Sequence, residues 1–319
     1  MTSSLPTLVR VELNRLLWRR AVITLLVLAV LVPLAILGIR WYDTHPRDID
    51  DLAADHGSFV YNEVDRCERR GGYNGTRADS REECERAVAE GFSSTLDIRE
   101  EREEGGAVAV MLLVGLLMLL AGTTFAGHDW NTGSMSNQLL FEPRRGRVWA
   151  AKALAVSLLA GTVTLVVSAA YWSAIWALVA ARDLRIPEHA VAAGYKQAVL
   201  GAGFAAACAV FGFALTMLLR STVATLGLLF AVMFLAVVFT GLAGFESGNE
   251  RFMPWGNFYA YAVGGYDFYD YGPCAFGSED GSCEATQLIR RADSLIYFAL
   301  ILLGTGVPSV LTFRQRDLP

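Results

Sequence analysis

Six stretches of the chain run 19 to 29 residues without an Asp, Glu, Lys, Arg or His: 21–39, 106–127, 153–181, 197–219, 221–245 and 294–313. A bilayer core about 30 Å thick needs about 20 apolar residues in a helix. Each stretch is long enough to cross one, and buried soluble helices seldom reach this length without a charge. The pattern predicts an all-α integral membrane protein with six transmembrane helices. Pro33 and Pro308 fall inside spans, which lipid-embedded helices tolerate. Ahead of the first span, residues 7–20 place Leu8, Val9, Leu13, Leu16 and Leu17 roughly on one helical face, with Arg10, Asn14 and Arg15 mostly elsewhere. This predicts an N-terminal amphipathic helix lying at the membrane surface. The other reading makes it the inner end of one long first helix. The basic flank of the first span is long for a signal peptide, and Leu37-Gly38-Ile39-Arg40 is no small-x-small cleavage site, so the span is read as retained.

Composition agrees with a membrane protein. The 319 residues are 54% hydrophobic and 18% charged, where a soluble chain is about a quarter charged. This argues against a disordered chain or a basic nucleic-acid binder, and no nucleic-acid partner is expected. The net charge of -5 is unevenly spread. Residues 42–105 hold 18 acidic and 9 basic side chains, and the rest of the chain 14 acidic and 18 basic. Basic residues flank one set of span ends: Arg10, Arg15, Arg19, Arg20, Arg144, Arg145, Arg147, Lys152, Arg220, Arg314 and Arg316, against Glu12, Asp129, Glu142 and Asp317. Lys and Arg stay inside. Both termini are therefore expected in the cytoplasm and the acidic insert outside. The layout is 1–41 (amphipathic helix and helix 1), 42–105 (acidic insert), 106–245 (helices 2–5, with a cytoplasmic loop at 128–149), 246–291 (an aromatic outer segment) and 292–319 (helix 6 and tail).

The acidic insert reads as a helical hairpin. Residues 58–70 and 80–104 are rich in helix formers, Gly71-Gly72-Tyr73-Asn74-Gly75 separates them, and Ser80 with Glu83 has the form of a capping box. Cys67 and Cys84 fall in the insert, Cys274 and Cys283 in the second outer segment, and Cys208 inside the fourth span. Two local pairs on an oxidising side predict the disulfides Cys67–Cys84 and Cys274–Cys283, though the sequence leaves crossed pairing open. A loop of that size contributes about 3 kcal/mol. No spacing suits a metal.

Residues 252–271 contain nine aromatics. Tyr and Trp favour the membrane boundary, so this stretch is expected on or in the outer leaflet. It is either a plain interfacial belt or a lid over an exit path, with Trp255, Phe258, Tyr259, Tyr266, Phe268 and Tyr269 as lid residues.

Catalytic motifs are missing. The only lysines, Lys152 and Lys196, follow Ala151 and Tyr195, so no Walker A loop exists. His-Glu-x-x-His and Gly-x-Ser-x-Gly are absent too. Charge-free spans also disfavour ion-coupled transport. No catalytic site, metal or cofactor is expected in this chain.

The densest polar pattern between spans is residues 127–152, GHDWNTGSMSNQLLFEPRRGRVWAAK. Asp129 and Gly133 stand four apart, Leu139-Leu140 follow, then Glu142-Pro143-Arg144-Arg145-Gly146-Arg147, then Lys152 at the mouth of the third span. By itself this is a short amphipathic helix ended by proline, and it serves at least as a positive-inside anchor. The pattern resembles the first cytoplasmic loop of ABC transporter permeases of the type-2 exporter group, and Phe313-Arg314-Gln315-Arg316-Asp317 is similar to that group's terminal signature. Asp129 stands where Glu is commoner, which arginine matches the basic position is ambiguous, and the outer hairpin is larger than usual. The resemblance implies the membrane subunit of an ATP-driven exporter in the bacterial plasma membrane, moving an amphipathic or apolar substrate outward. It implies a separate nucleotide-binding ATPase carrying ATP and Mg, a second permease chain in a homodimer or heterodimer, and surrounding membrane lipid. It also implies coupling to the ATPase through Asp129, Gly133, Leu139, Leu140, Glu142, Pro143, Arg144, Arg145 and Arg147. The alternative is a non-transporting sensor or assembly factor that binds a partner through its outer hairpin.

Overall fold

Six helices of the computed structural model are long and apolar enough to cross a membrane, the layout of a multi-pass membrane protein. The structure describes residues 4–45, 47–92, 96–182, 184, 186–243, 249–270 and 286–315. The spanning helices are α2 (Arg20–Asp43), α7 (Gly106–Asn131), α9 (Arg145–Ala181), α10 (Ala190–Leu219), α11 (Thr222–Ala243) and α13 (Arg291–Gln315). The remaining helices are α1 (Leu5–Leu17), α3 (Ile49–His56), α4 (Phe59–Arg70), α5 (Arg81–Phe92), α6 (Ile98–Glu103), α8 (Ser134–Phe141) and α12 (Pro254–Val263). A single 3-10 turn, Asn249–Phe252, and two small antiparallel strand pairs complete the described chain: β1 (Gly72–Tyr73) with β2 (Thr76–Arg77), and β3 (Gly265–Tyr269) with β4 (Thr286–Arg290).

Helices α7, α9 and α10 form the centre. Small residues let them close together. A methyl on Gly212 would come within 2.5 Å of the Leu119 carbonyl, and one on Gly122 would run into the Ala209 carbonyl. The outer helices differ. On α11, Val223 is 82% and Phe230 74% exposed, while Gly227 and Gly241 have open space around them. Apolar side chains on the outside suit a hydrocarbon solvent.

The first helical segment is separate from the first span. Helix α1 ends at Leu17, Arg19 is extended, and α2 begins at Arg20. The expected third span, starting at 153, is too short, because α9 already begins at Arg145. Lys152 therefore lies two turns inside a helix. Its charge is neutralised within the protein, so it marks no exit from the bundle.

The acidic insert has its own core of Ile49, Leu52, Val60, Val64, Ala78 and Val88 around a Cys67–Cys84 disulfide whose Cα atoms are 5.7 Å apart. Gly71, with φ at 70°, ends α4 in the left-handed region. Ser80 Oγ accepts from the Glu83 amide, and the Glu83 carboxylate accepts from the Asp79 amide, one position before the cap. The single second helix expected over 80–104 is a correction: α5 stops at Phe92, and α6 restarts at Ile98 behind Asp97, whose side chain accepts from the Arg99 and Glu100 amides.

The aromatic segment packs onto the bundle. Phe258 and Tyr261 on α12 meet Phe204 of α10 and Phe298 of α13, and the Tyr261 hydroxyl donates to the Leu200 carbonyl. Phe268 is buried with Ile289 and Ala260, Tyr259 stands edge-on to Tyr266, Trp255 is half-buried and Tyr269 is exposed. Cys274 and Cys283 lie outside the described residues.

Candidate functional site

The end of the bundle where α1 packs on α9 and where α13 ends, the terminal end, holds a buried ionic cluster. It is assembled from three helices, α1, α7 and α9, and from the joint between α1 and α2. Helix α1 supplies Glu12 and Arg15, the α1–α2 joint Arg19, the last turn of α7 Asp129, and α9 Lys152. Lys152 Nζ lies 2.6 Å from Asp129 Oδ2 and 2.8 Å from Glu12 Oε2. Lys152 and Asp129 are 0% exposed and Glu12 is 1% exposed. Arg19 pairs with Asp129 and donates to the Phe125 carbonyl at 2.8 Å. Arg15 reaches both carboxylates, Glu12 at 3.1 Å and Asp129 at 3.3 Å. The Phe125 ring lies under two of the cations, with the Arg19 guanidinium 4.6 Å and Lys152 Nζ 5.0 Å from its centroid. Such ring contacts favour a desolvated cation.

Helix α8 hangs from this cluster. Gly133, at φ 66°, ends α7 in the left-handed region and lets the chain reverse, with its amide donating to the Trp130 carbonyl. One face of α8 points inward, because residues four apart share a face. Ser134 Oγ donates to Asp129 at 2.7 Å, and Gln138 Nε2 donates to Glu12. Met135, 1% exposed, anchors the same side. The helix ends in Leu140, 81% exposed, and Phe141, 89% exposed. Two apolar side chains thus stand clear of a helix that is bonded to α1 and α7 and, through Glu12 and Asp129, to Lys152.

The coupling residues expected from sequence divide between these two surfaces. Asp129 and Glu142 are buried, so neither offers a surface to a partner. Leu139 is partly buried against the core. Leu140, Pro143 and Arg144 are exposed. Arg147 faces Glu142 at 3.9 Å, and Arg145 donates to the Phe313 carbonyl at 3.5 Å. Phe313 also stands edge-on to Trp130, so the loop and the end of the last helix meet. Arg316 and Asp317 lie outside the described residues. Glu12, Arg15, Arg19 and Gln138 are the site residues that sequence reasoning missed. Glu12 gave a usable signal, as a lone acid among the arginines of an amphipathic helix.

A second buried cluster closes the hairpin end. Glu101, 0% exposed, accepts from Arg40 Nε at 2.7 Å and from the Tyr171 hydroxyl. It therefore joins α2, α6 and α9. Arg182 donates to Thr44 across the same end. A methyl on Gly106 would run into the Tyr171 hydroxyl and lie 2.6 Å from the Glu101 carboxylate, so this glycine is set by close approach. No group of three or more His, Cys, Asp or Glu able to hold a metal occurs among the described residues. Comparisons with protein-family models, with curated proteins and with solved structures return no match.

Proposed function

We propose that this chain is the membrane-spanning permease subunit of an ATP-driven exporter in a bacterial plasma membrane, with both termini cytoplasmic. It would pair with a second permease chain and work through a separate ATPase that binds ATP and Mg. The observation that supports this reading is α8, whose C-terminal Leu140 and Phe141 are exposed while its Ser134 and Gln138 are bonded into the ionic cluster. A push on that apolar tip is passed to α1, α7 and α9 through Glu12, Asp129 and Lys152. The roles of the expected residues change accordingly. Leu140 and Phe141 dock, Asp129 transmits, and Gly133 sets the reversal.

The test is co-purification with the nucleotide-binding subunit encoded beside the chain. The paired change Leu140→Asp with Phe141→Asp is expected to abolish association and ATPase stimulation while leaving the melting temperature unchanged. Recovery of no ATPase by the unmodified chain, or of equal amounts by the variant, refutes the reading.

One observation favours a second reading, a sensor or assembly factor. The hairpin has its own core and a disulfide, as a partner-binding domain would. Deleting 58–92, which leaves Glu101 in place, separates the two readings. A transporter keeps basal ATPase stimulation, and a sensor loses its activity.

A further inference from the structure

Between α7, α9 and α10, about one turn below the Glu101 cluster, lies a cavity of about 10 Å³ lined by Ala107, Val110, Met111, Ser168, Tyr171, Trp172, Gln197 and Ala198. It is mostly apolar, yet three polar side chains border it. Ser168 is 6% and Gln197 4% exposed, and neither Ser168 Oγ nor Gln197 Oε1 has a hydrogen-bond partner. Leaving such groups unpaired costs about 1–3 kcal/mol each. The amide orientation of Gln197 is fixed by its other end. Nε2 donates to the Arg102 carbonyl at 2.9 Å, and a carbonyl can only accept, so an acceptor oxygen is what Gln197 turns to the cavity. Ser168 Oγ lies 3.8 Å from the space beside Gly201, one turn along α10 from Gln197. The third group is Tyr171, whose hydroxyl proton is given to Glu101, which leaves its oxygen free to accept.

We propose that this cavity is a binding site for one structural water molecule, held by Ser168, Gln197 and Tyr171. The size fits, since a water needs about 10–15 Å³ of such space and two to four polar partners. The hydrogen inventory closes as well. The Ser168 hydroxyl donates to the water, and the water donates one hydrogen to Gln197 Oε1 and the other to Tyr171 Oη. Tyr171 then donates to Glu101, and Arg40 donates to Glu101 from the other side. No hydrogen of the two hydroxyls or of the water is left without an acceptor. The water extends the Glu101 cluster into α10, beside the Gln197–Arg102 bond. A dipole-sized ligand suits the site better than an ion, because no charged side chain lines it.

The proposal is tested on the full chain in lipid nanodiscs. In a density map at about 2 Å resolution, a peak within hydrogen-bond distance of Ser168 Oγ, Gln197 Oε1 and Tyr171 Oη is expected. A featureless cavity overturns the proposal. The variants Ser168→Ala and Gln197→Met provide a second readout. Because both groups share one water, each lowers the melting temperature, and the double variant falls by clearly less than the two single shifts added together. If the shifts add, or if Ser168→Ala raises the melting temperature as removal of an unpaired hydroxyl from a dry cavity would, the site holds no water.

Discussion

At the terminal end two carboxylates share three cations, and Lys152, Glu12 and Asp129 are all but sealed from solvent. At the hairpin end one sealed carboxylate, Glu101, is held by Arg40 and Tyr171. Both clusters join helices far apart in sequence, but they differ in redundancy. Asp129 accepts from Lys152, Arg19, Arg15 and Ser134, so losing one donor leaves three. Glu101 accepts from two side chains only among the described residues, so losing one leaves an oxygen bare. The terminal end also carries a helix with an exposed apolar tip, and the hairpin end carries a small folded domain. If α8 is engaged by a partner, as proposed, a cluster that keeps its helices registered meanwhile gains from spare donors. A cluster that only closes a joint does not need them.

The comparison breaks most decisively at Lys152, which is the one cation bonded to both carboxylates without any exposure. Lys152→Met keeps the length of the stem and removes the charge. Two buried carboxylates then face two arginines that are partly exposed. Removing one partner of a buried pair costs about 3–5 kcal/mol, and a loss of that size is expected for Lys152→Met in denaturant unfolding in detergent. A loss below about 1 kcal/mol would mean that the cluster behaves as a surface ion pair, and the contrast between the two ends would fall with it.

At the hairpin end the matching deletion is Tyr171→Phe. The ring stays packed, and Glu101 Oε1 loses its hydroxyl donor in a place where solvent cannot replace it. An unsatisfied buried acceptor costs about 1–3 kcal/mol, more where it is charged, so a destabilisation toward the upper end of that range is expected. The melting temperature of the purified chain reads it directly. A neutral Tyr171→Phe would show that Glu101 finds another donor and is as redundantly held as Asp129.

Spans and clusters were unequally legible in the sequence. The six apolar runs stand out because lipid excludes unpaired charge, and all six correspond to spanning helices. The same rule hid the clusters. A charge-free run stops at the first ionisable residue, so the runs ended at 127 and began again at 153, although α7 continues to Asn131 and α9 starts at Arg145. This pattern puts Asp129 in a loop and Lys152 at the mouth of the third span, while in the fold they face each other inside the bundle. Glu12 and Glu101 lie 89 residues apart in regions read as surface, and only the packing of α1 and α6 against the spans buries them. Proximity of Cys67 and Cys84 followed from their places on either side of the Gly71–Gly75 turn. The aromatics of 252–271 could be read as a belt or a lid, because Phe258 and Tyr261 become core only once α10 and α13 present Phe204 and Phe298 to them. No period in the segment itself carries that information.

The smallest effect sharpens the comparison most. Ser134→Ala removes a hydroxyl donor from a buried carboxylate, as Tyr171→Phe does, yet Asp129 keeps Lys152 at 2.6 Å as well as Arg19 and Arg15. The global loss is therefore expected near the low end for a hydrogen bond, about 0.5–1 kcal/mol, and clearly below that of Tyr171→Phe. The local effect should be larger than the global one. Ser134 is the first residue of α8, and with Gln138 it forms the polar attachment of that helix to the cluster. With one of the two attachments gone, the amides of Ser134–Phe141 should exchange with deuterium several-fold faster than in the unmodified chain, while amides at the centre of α9 stay unchanged. Equal exchange in both would mean that Gln138, Met135 and Leu139 hold α8 in place without Ser134, and that the terminal cluster is a closure like its counterpart at the hairpin end. Faster exchange confined to α8 would show that the spare donors protect the bundle while leaving the exposed helix separately responsive.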